Sequence, residues 1–213
     1  AYIGKNKTDC MPYNFGKPGG ALQHTYYHLI HLNIGDEIKQ QKGLFIYLYG
    51  DFHFRRIIGG IPSPEITADS LFIKLEKGNL LEKGTFREAM PWRWRFYELL
   101  RYTSIPWALN ISFPLNAPQP EHWDLIVALF VKSAEVALNN FPDSRFIIAF
   151  WNAPNDKIEI MRRIYSLNTS IKCIDLDEAL SGNTTALNRF PDRHFYPESN
   201  ELIAKSILKC ISE

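Results

Sequence analysis

The sequence predicts an α/β protein of three layers, with helices on both faces of a mainly parallel sheet, and three observations carry that prediction. Two runs, Gly43-Leu44-Phe45-Ile46-Tyr47-Leu48-Tyr49 and Arg145-Phe146-Ile147-Ile148-Ala149-Phe150-Trp151, are apolar on both faces, as interior strands of a helix-covered parallel sheet must be. A third and shorter run, Ile171-Lys172-Cys173-Ile174-Asp175, also reads as a strand. Helical periodicity fills the intervals, so the second half of the chain reads helix, strand, helix, strand, loop, helix, and such alternation implies right-handed crossovers. The 213 residues form one domain of ordinary size, long enough to bury a core without disulfide or metal support.

In chain order, residues 1–11 are polar and Lys-rich and carry no pattern. Tyr13-Asn14-Phe15-Gly16-Lys17-Pro18-Gly19-Gly20 reads as a short strand ending in a glycine-rich turn, and residues 21–34 as a helix with Leu22, Tyr26, Leu29, Ile30 and Leu32 on its apolar face. A turn of this kind places backbone N–H groups at a helix start, where they can meet developing negative charge, although a plain turn uses glycine too. The strand ending at Tyr49 leads into Gly50-Asp51-Phe52-His53-Phe54-Arg55-Arg56. Ligands gather at the carboxyl ends of strands in doubly wound sheets, so Asp51 and His53 are candidate site residues; the alternative is a capping Asp beside a His packed on aromatics.

Residues 61–120 interrupt the alternation as an insertion near the site. Leu71-Phe72-Ile73-Lys74-Leu75, a Glu76-Lys77-Gly78-Asn79 loop and Leu80-Leu81 predict a hairpin. Residues 90–102 then open with Pro91 and are dense in aromatic and basic side chains, which predicts a helix. Three roles compete for it: a membrane-interface element acting through Trp92 and Trp94, the wall of an acyl or glycan pocket, or a cover for the core. A proline-rich loop over residues 106–120 precedes a strong helix at residues 123–138, with Leu125, Ile126, Leu129, Phe130, Ala134 and Val136 facing inward. Residues 156–165 are helical, and the chain closes on a helix at residues 198–211 whose inner face is Leu202, Ile203, Ser206, Ile207 and Cys210.

Just before that last helix lies Phe190-Pro191-Asp192-Arg193-His194-Phe195-Tyr196-Pro197. An acid and an imidazole two residues apart, between two stiffening prolines, suit a loop that presents a proton-handling pair at a sheet rim; the plainer alternative is a surface turn.

Composition excludes several classes. A hydrophobic content of 46% and a formal net charge of +1 argue against disorder and against a polyanion-binding surface, so nucleic acid is not an expected partner. Cys10, Cys173 and Cys210 form no CxxC or CxxH unit, so neither a disulfide scaffold nor a zinc site is implied, and no metal or cofactor is expected. The longest apolar runs, residues 44–49 and 125–131, fall far short of a membrane span. The chain opens Ala-Tyr-Ile-Gly-Lys, with neither a methionine nor a signal-peptide pattern, which suggests a processed or truncated piece of a longer parent.

Taken together, three of these pieces resemble the SGNH/GDSL hydrolase superfamily. The stretch from Tyr13 to Gly19 resembles the family's second block, whose glycine, here Gly19, offers a backbone N–H to the oxyanion. Leu48-Tyr49-Gly50-Asp51 stands at the place of the third block, with a His and an Arg following as His53 and Arg55 or Arg56. Asp192-Arg193-His194 followed by Pro197 and a helix resembles the fifth block, which carries the triad acid and base. The resemblance covers most of the chain outside residues 61–120. It implies a flavodoxin-like sheet with a small hairpin and helix insertion, and an ester hydrolase, O-acyl esterase or acyltransferase acting on a small-molecule ester or an acylated glycan or lipid. His194 and Asp192 would be catalytic, and Gly19, Gly50, Asp51 and His53 would line the oxyanion pocket. A periplasmic, extracytoplasmic or membrane-anchored parent fits that reading.

Two features depart from the family pattern. No Gly-Asp-Ser or Gly-x-Ser-Phe element precedes the second block, and Ser63, Ser70, Ser104 and Ser112 lack a glycine-rich elbow, so the nucleophile is expected upstream of this chain. Gly50 stands where an oxyanion Asn is usual, which removes a donor whose loss can cost about 10²–10³ in rate unless His53 or a backbone N–H replaces it. The rival expectation is a binding module that has lost its nucleophile and keeps a glycan or acyl pocket. Without its first strand the family's sheet would also have a gap, which residues 1–7 are the candidates to fill.

Overall fold

The computed structural model describes residues 11–16, 20–32, 34–59, 69–103, 108, 119–151, 153–167, 169–180 and 197–212. In order these form α1 (Leu22–His31), α2 (Ile34–Glu37), β1 (Leu44–Gly50), α3 (Asp51–Ile57), β2 (Leu71–Glu76), β3 (Asn79–Thr85), α4 (Phe86–Ala89) and α5 (Pro91–Arg101). They continue as α6 (Pro120–Asn140), β4 (Arg145–Trp151), α7 (Pro154–Ser166), β5 (Lys172–Asp175), α8 (Leu176–Ala179) and α9 (Pro197–Ser212). The protein is α/β: β1, β4 and β5 form a parallel sheet in the order β1-β4-β5, and β2 and β3 form a separate antiparallel pair.

The central strand, β4, sets the core. Ile147, Ile148, Ala149 and Phe150 are fully buried, because both neighbours and both faces cover them. Side chains alternate across a strand, so Phe146, Ile148 and Phe150 join one cluster with Leu22 and Tyr26 of α1, Phe54 and Ile57 of α3, Ile126, Leu129 and Phe130 of α6, and Ile160 and Ile164 of α7. Ile147, Ala149 and Trp151 turn the other way, onto Leu176 and Leu180 around α8 and Ile203 and Ile207 of α9. The continuous apolar run of β4 is therefore two interleaved faces, each buried by helices, with burial of each large side chain contributing roughly 1.5–3 kcal/mol. β1 is the outer strand among the described residues, and its Leu44 and Leu48 are about two-fifths exposed. Residues 1–7 lie outside the described residues.

The hairpin forms as expected around Lys77-Gly78, whose φ angles of 51° and 79° give the two left-handed residues that a tight two-residue β-turn needs. Its Phe72 packs with Phe86 of α4 and Trp94 and Tyr97 of α5 in a small satellite cluster.

Two expectations at the start of the chain are corrected. No strand forms at residues 13–16. Asn14 Oδ1 accepts the Gly16 N–H at 2.9 Å, a local bond that competes with a ladder, and Tyr13 donates its hydroxyl hydrogen to Gln40. The first helix also stops at His31, because Leu32 is extended (φ −93°, ψ 131°), and Ile30 and Leu32 are exposed instead of joining its inner face.

Candidate functional site

The register fixes where chemistry can gather. Gly50 pairs with Trp151, and Phe150 with both Tyr49 and Asp175, so all three strands end at one rim of the sheet. α3 starts directly after β1, and α8 directly after β5, while α7 follows β4 after two residues.

His53 is the third residue of α3. Its Nδ1 accepts the Gly50 N–H at 2.9 Å, so the neutral ring carries its proton on Nε2. The imidazole sits between the rings of Tyr47 and Tyr49, at centroid distances of 5.4 and 5.5 Å. Burial, reinforced by the Arg56 charge, pushes its pKa down to about 3. At neutral pH His53 is therefore a hydrogen-bond donor through Nε2 and too weak a base to take a proton. The same device starts two other helices: Ala21 N–H donates to His24 Nδ1 at 3.2 Å, and Gln119 N–H to His122 Nδ1 at 3.1 Å. His122 also has a lowered pKa, chiefly through partial burial, and it meets Phe54 of α3 edge-on at 5.9 Å.

Beside His53, Arg56 ties α3 to Gly20, just ahead of α1. Its Nη1 donates to the Gly20 carbonyl at 3.0 Å, and its own carbonyl accepts from Gln23 Nε2 at 3.1 Å. Gln23 Oε1 and the Tyr47 hydroxyl are buried with no hydrogen-bond partner among the described residues. Burial raises the Tyr47 pKa, against an opposing pull from Arg56, so the phenol stays protonated. Two unsatisfied polar atoms thus lie in the layer that holds His53 and Arg56, and buried polar atoms of this kind ordinarily find a water or ligand partner.

A charged cluster occupies the other end of the rim. Lys157 Nζ reaches Asp175 at 2.8 Å and Asp177 at 3.0 Å, with only 13% of the lysine side chain exposed. Asp175 Oδ1 also accepts from the Asp177 and Glu178 amides, capping α8. Tyr49 donates its hydroxyl hydrogen to Asp156 at 3.3 Å, linking the end of β1 to α7. No group of three or more His, Cys, Asp or Glu suited to a metal ion occurs among the described residues.

No family model, no curated protein and no solved structure matches the chain.

Of the residues singled out by sequence, Gly50 and His53 meet directly, and Gly20, next to Gly19, is held by Arg56. Of the two arginines considered, Arg56 makes this contact while Arg55 is exposed. Asp51 is the first residue of α3; the side chain of Asp51, and Gly19, Asp192 and His194 altogether, lie outside the described residues. The Gly50 amide is occupied by His53, and its place is that of a helix N-cap. Gln23, Tyr47 and Lys157 escape the sequence reading. The available signals were a Gln in the first turn after Gly-Gly, a tyrosine on the same strand face as Tyr49, and a His at the third helical position in three separate helices. A cleft of about 430 Å³ lies elsewhere, among β5, α8 and α9, and is lined by Lys172, Cys173, Asp175, Glu178, Lys209 and Cys210. Burial pushes the Cys173 thiol up to about 12, so it is no thiolate nucleophile.

Proposed function

We propose that this chain supplies the acid–base and oxyanion side of an SGNH-type ester hydrolase, an O-acyl esterase or acyltransferase built on a three-layer sandwich with a flavodoxin-like sheet. The observation that carries the reading is the 3.0 Å bond from Arg56 to the Gly20 carbonyl. It supports the reading because the glycine turn must stand beside the end of β1 if the Gly19 amide is to serve the same pocket as His53. In this mechanism a serine upstream of these residues attacks the acyl carbon, and His194 takes its proton while Asp192 holds the ring. The Gly19 N–H stabilises the tetrahedral oxyanion, and the His53 Nε2–H is the donor that stands in for the usual Asn. The alcohol leaves with the proton from His194, and water or an acceptor alcohol then releases the acyl group by the reverse steps. The test is a fluorophosphonate probe on the full-length protein: a covalent adduct, lost in His194→Ala, is expected, and no adduct where a known esterase labels would overturn the proposal.

One observation favours a second reading, a nucleophile-free module that binds an acylated glycan. Gly50 contributes no side chain and gives its amide to His53, so one oxyanion donor is already committed. Saturable binding of an acetylated oligosaccharide without any adduct would select this reading.

A further inference from the structure

Among the described residues β5 is an outer strand of the parallel sheet, with β4 on one side only. Its other side faces a cleft. Side chains alternate along a strand, so Cys173 joins the cluster shared with α6 and α7 while Ile174 joins the opposite one, shared with α8 and α9. The cleft of about 430 Å³ is nevertheless lined by every residue from Lys172 to Asp175. A hollow that reaches residues of both faces runs along the strand's outer edge, where main-chain N–H and C=O groups point away from the sheet. Glu178 and Ala179 of α8 and Ser206 and Lys209 of α9 wall this edge into a slot. Such an edge takes up one extended chain through main-chain hydrogen bonds, with affinity that depends little on side chains.

Charge along the slot identifies that chain and its direction. Lys172 opens β5 and donates from its ammonium group to the Cys210 carbonyl, which brings Lys209, in the last turn of α9, to the same end. Neither lysine meets a carboxylate among the described residues. At the other end Asp175 is committed to Lys157. Glu178 bonds Asp175 through its amide and lines the cleft there, and its carboxylate meets no cation among the described residues. The slot is therefore positive where β5 starts and negative where β5 ends, over a length on the order of 10 Å for three steps of a strand. An extended tripeptide has that length, with a carboxylate at one end and an ammonium at the other. Laid antiparallel to β5 it sets its carboxylate at Lys172 and Lys209 and its ammonium at Glu178; laid parallel it would oppose like charges at both ends. Charge of this kind fixes orientation more than affinity.

We propose that the slot beside β5 binds an extended peptide antiparallel to the strand, with a free C-terminal carboxylate at Lys172 and Lys209 and a cationic end at Glu178. This inference does not rest on the hydrolase reading. The probe is the tripeptide Val-Thr-Val, whose β-branched side chains favour an extended chain, titrated into isotope-labelled protein and followed by backbone amide shifts. Saturable shifts confined to β5, α8 and the later turns of α9 are expected. The C-terminal amide of the same peptide should bind roughly tenfold more weakly, the worth of one hydrogen bond to a charged group. The form with both peptide nitrogens methylated should not bind, because it lacks the donors that a strand edge requires. Lys209→Glu should erase the preference for acid over amide, and Ala179→Trp should fill the slot and abolish binding. Both positions are exposed, so the thermal midpoints of these variants should match the parent. The proposal is overturned if Val-Thr-Val gives no saturable shifts, if the acid, amide and methylated forms bind alike, or if the shifts fall outside β5, α8 and α9. It is also overturned if sedimentation velocity shows a dimer that Ala179→Trp dissociates, which would assign the slot to a second copy.

Discussion

Gly50 gives its amide hydrogen to the imidazole of His53, three residues on, at 2.9 Å, and the ring that accepts it is held neutral between two tyrosines. One contact thus caps a helix at the sheet rim and fixes which ring nitrogen faces away with a proton.

The first prediction concerns acid stability. The folded pKa of His53 lies at about 3, below the ordinary value of 6.5, so its stabilising share is complete above about pH 6.5 and is lost as pH falls toward 3. The slope it contributes approaches about 1.4 kcal/mol per pH unit within that window. His53→Gln retains an acceptor for the Gly50 amide but cannot titrate, so its urea midpoint should fall less steeply between pH 6.5 and 4 than that of the parent. His53→Leu should lose about 1–3 kcal/mol at pH 7, because the Gly50 N–H is left without its partner. Equal pH profiles for His53→Gln and the parent would refute the account.

Arg56 and Arg55 are neighbours with opposite roles. Arg56→Met removes the charged donor to the Gly20 carbonyl and should cost about 1–3 kcal/mol in denaturant unfolding. Arg55 is exposed, and Arg55→Met should stay within about 0.5 kcal/mol of the parent. Equal losses for the two would show that the bond to Gly20 holds nothing in place.

The Lys157 cluster makes a prediction of rank. Asp175 pairs with Lys157 and also caps α8, and Asp177 pairs with the same lysine, so Asp175→Ala should destabilise more than Asp177→Ala by about 1 kcal/mol, the usual worth of a cap. Lys157→Met should cost more than Asp177→Ala, since it leaves two carboxylates close together on a partly buried rim. Calorimetric or urea measurements at pH 7 check the order, and a larger loss for Asp177→Ala than for Asp175→Ala would reverse it.

Much of the scaffold was legible because its signals are local. β4 runs from Arg145 to Trp151 as its apolar run indicates, the Lys77-Gly78 hairpin follows from turn chemistry, and α9 buries Ile203 and Ile207 at the spacing expected of it. The failures are local too, and instructive. Tyr13 and Phe15 read as strand, but Asn14 engages the backbone two residues on; Ile30 and Leu32 read as the inner face of the first helix, but Ile30 lies on its exposed side and Leu32 lies past its end.

The site was less legible, because its properties belong to pairs of residues far apart in the chain. Sequence proposed Gly50 and His53 and could not separate a catalytic imidazole from one packed on aromatics. The depressed pKa and the flanking tyrosine rings decide that this imidazole is a neutral donor. Likewise Trp92 and Trp94 look equivalent in the chain, and the satellite core around Phe86 draws one inward and leaves the other to solvent.

What the sequence determined by itself is the strands β1 to β5, the five longest helices and the alternation that makes them an α/β protein, since hydrophobic period and turn chemistry act over a few residues. Tertiary structure alone decided which arginine holds the Gly20 carbonyl, which tryptophan is exposed and what protonation state His53 keeps. Those outcomes depend on desolvation and on partners brought together by the parallel sheet, and no local pattern encodes a neighbour that arrives from thirty or a hundred residues away.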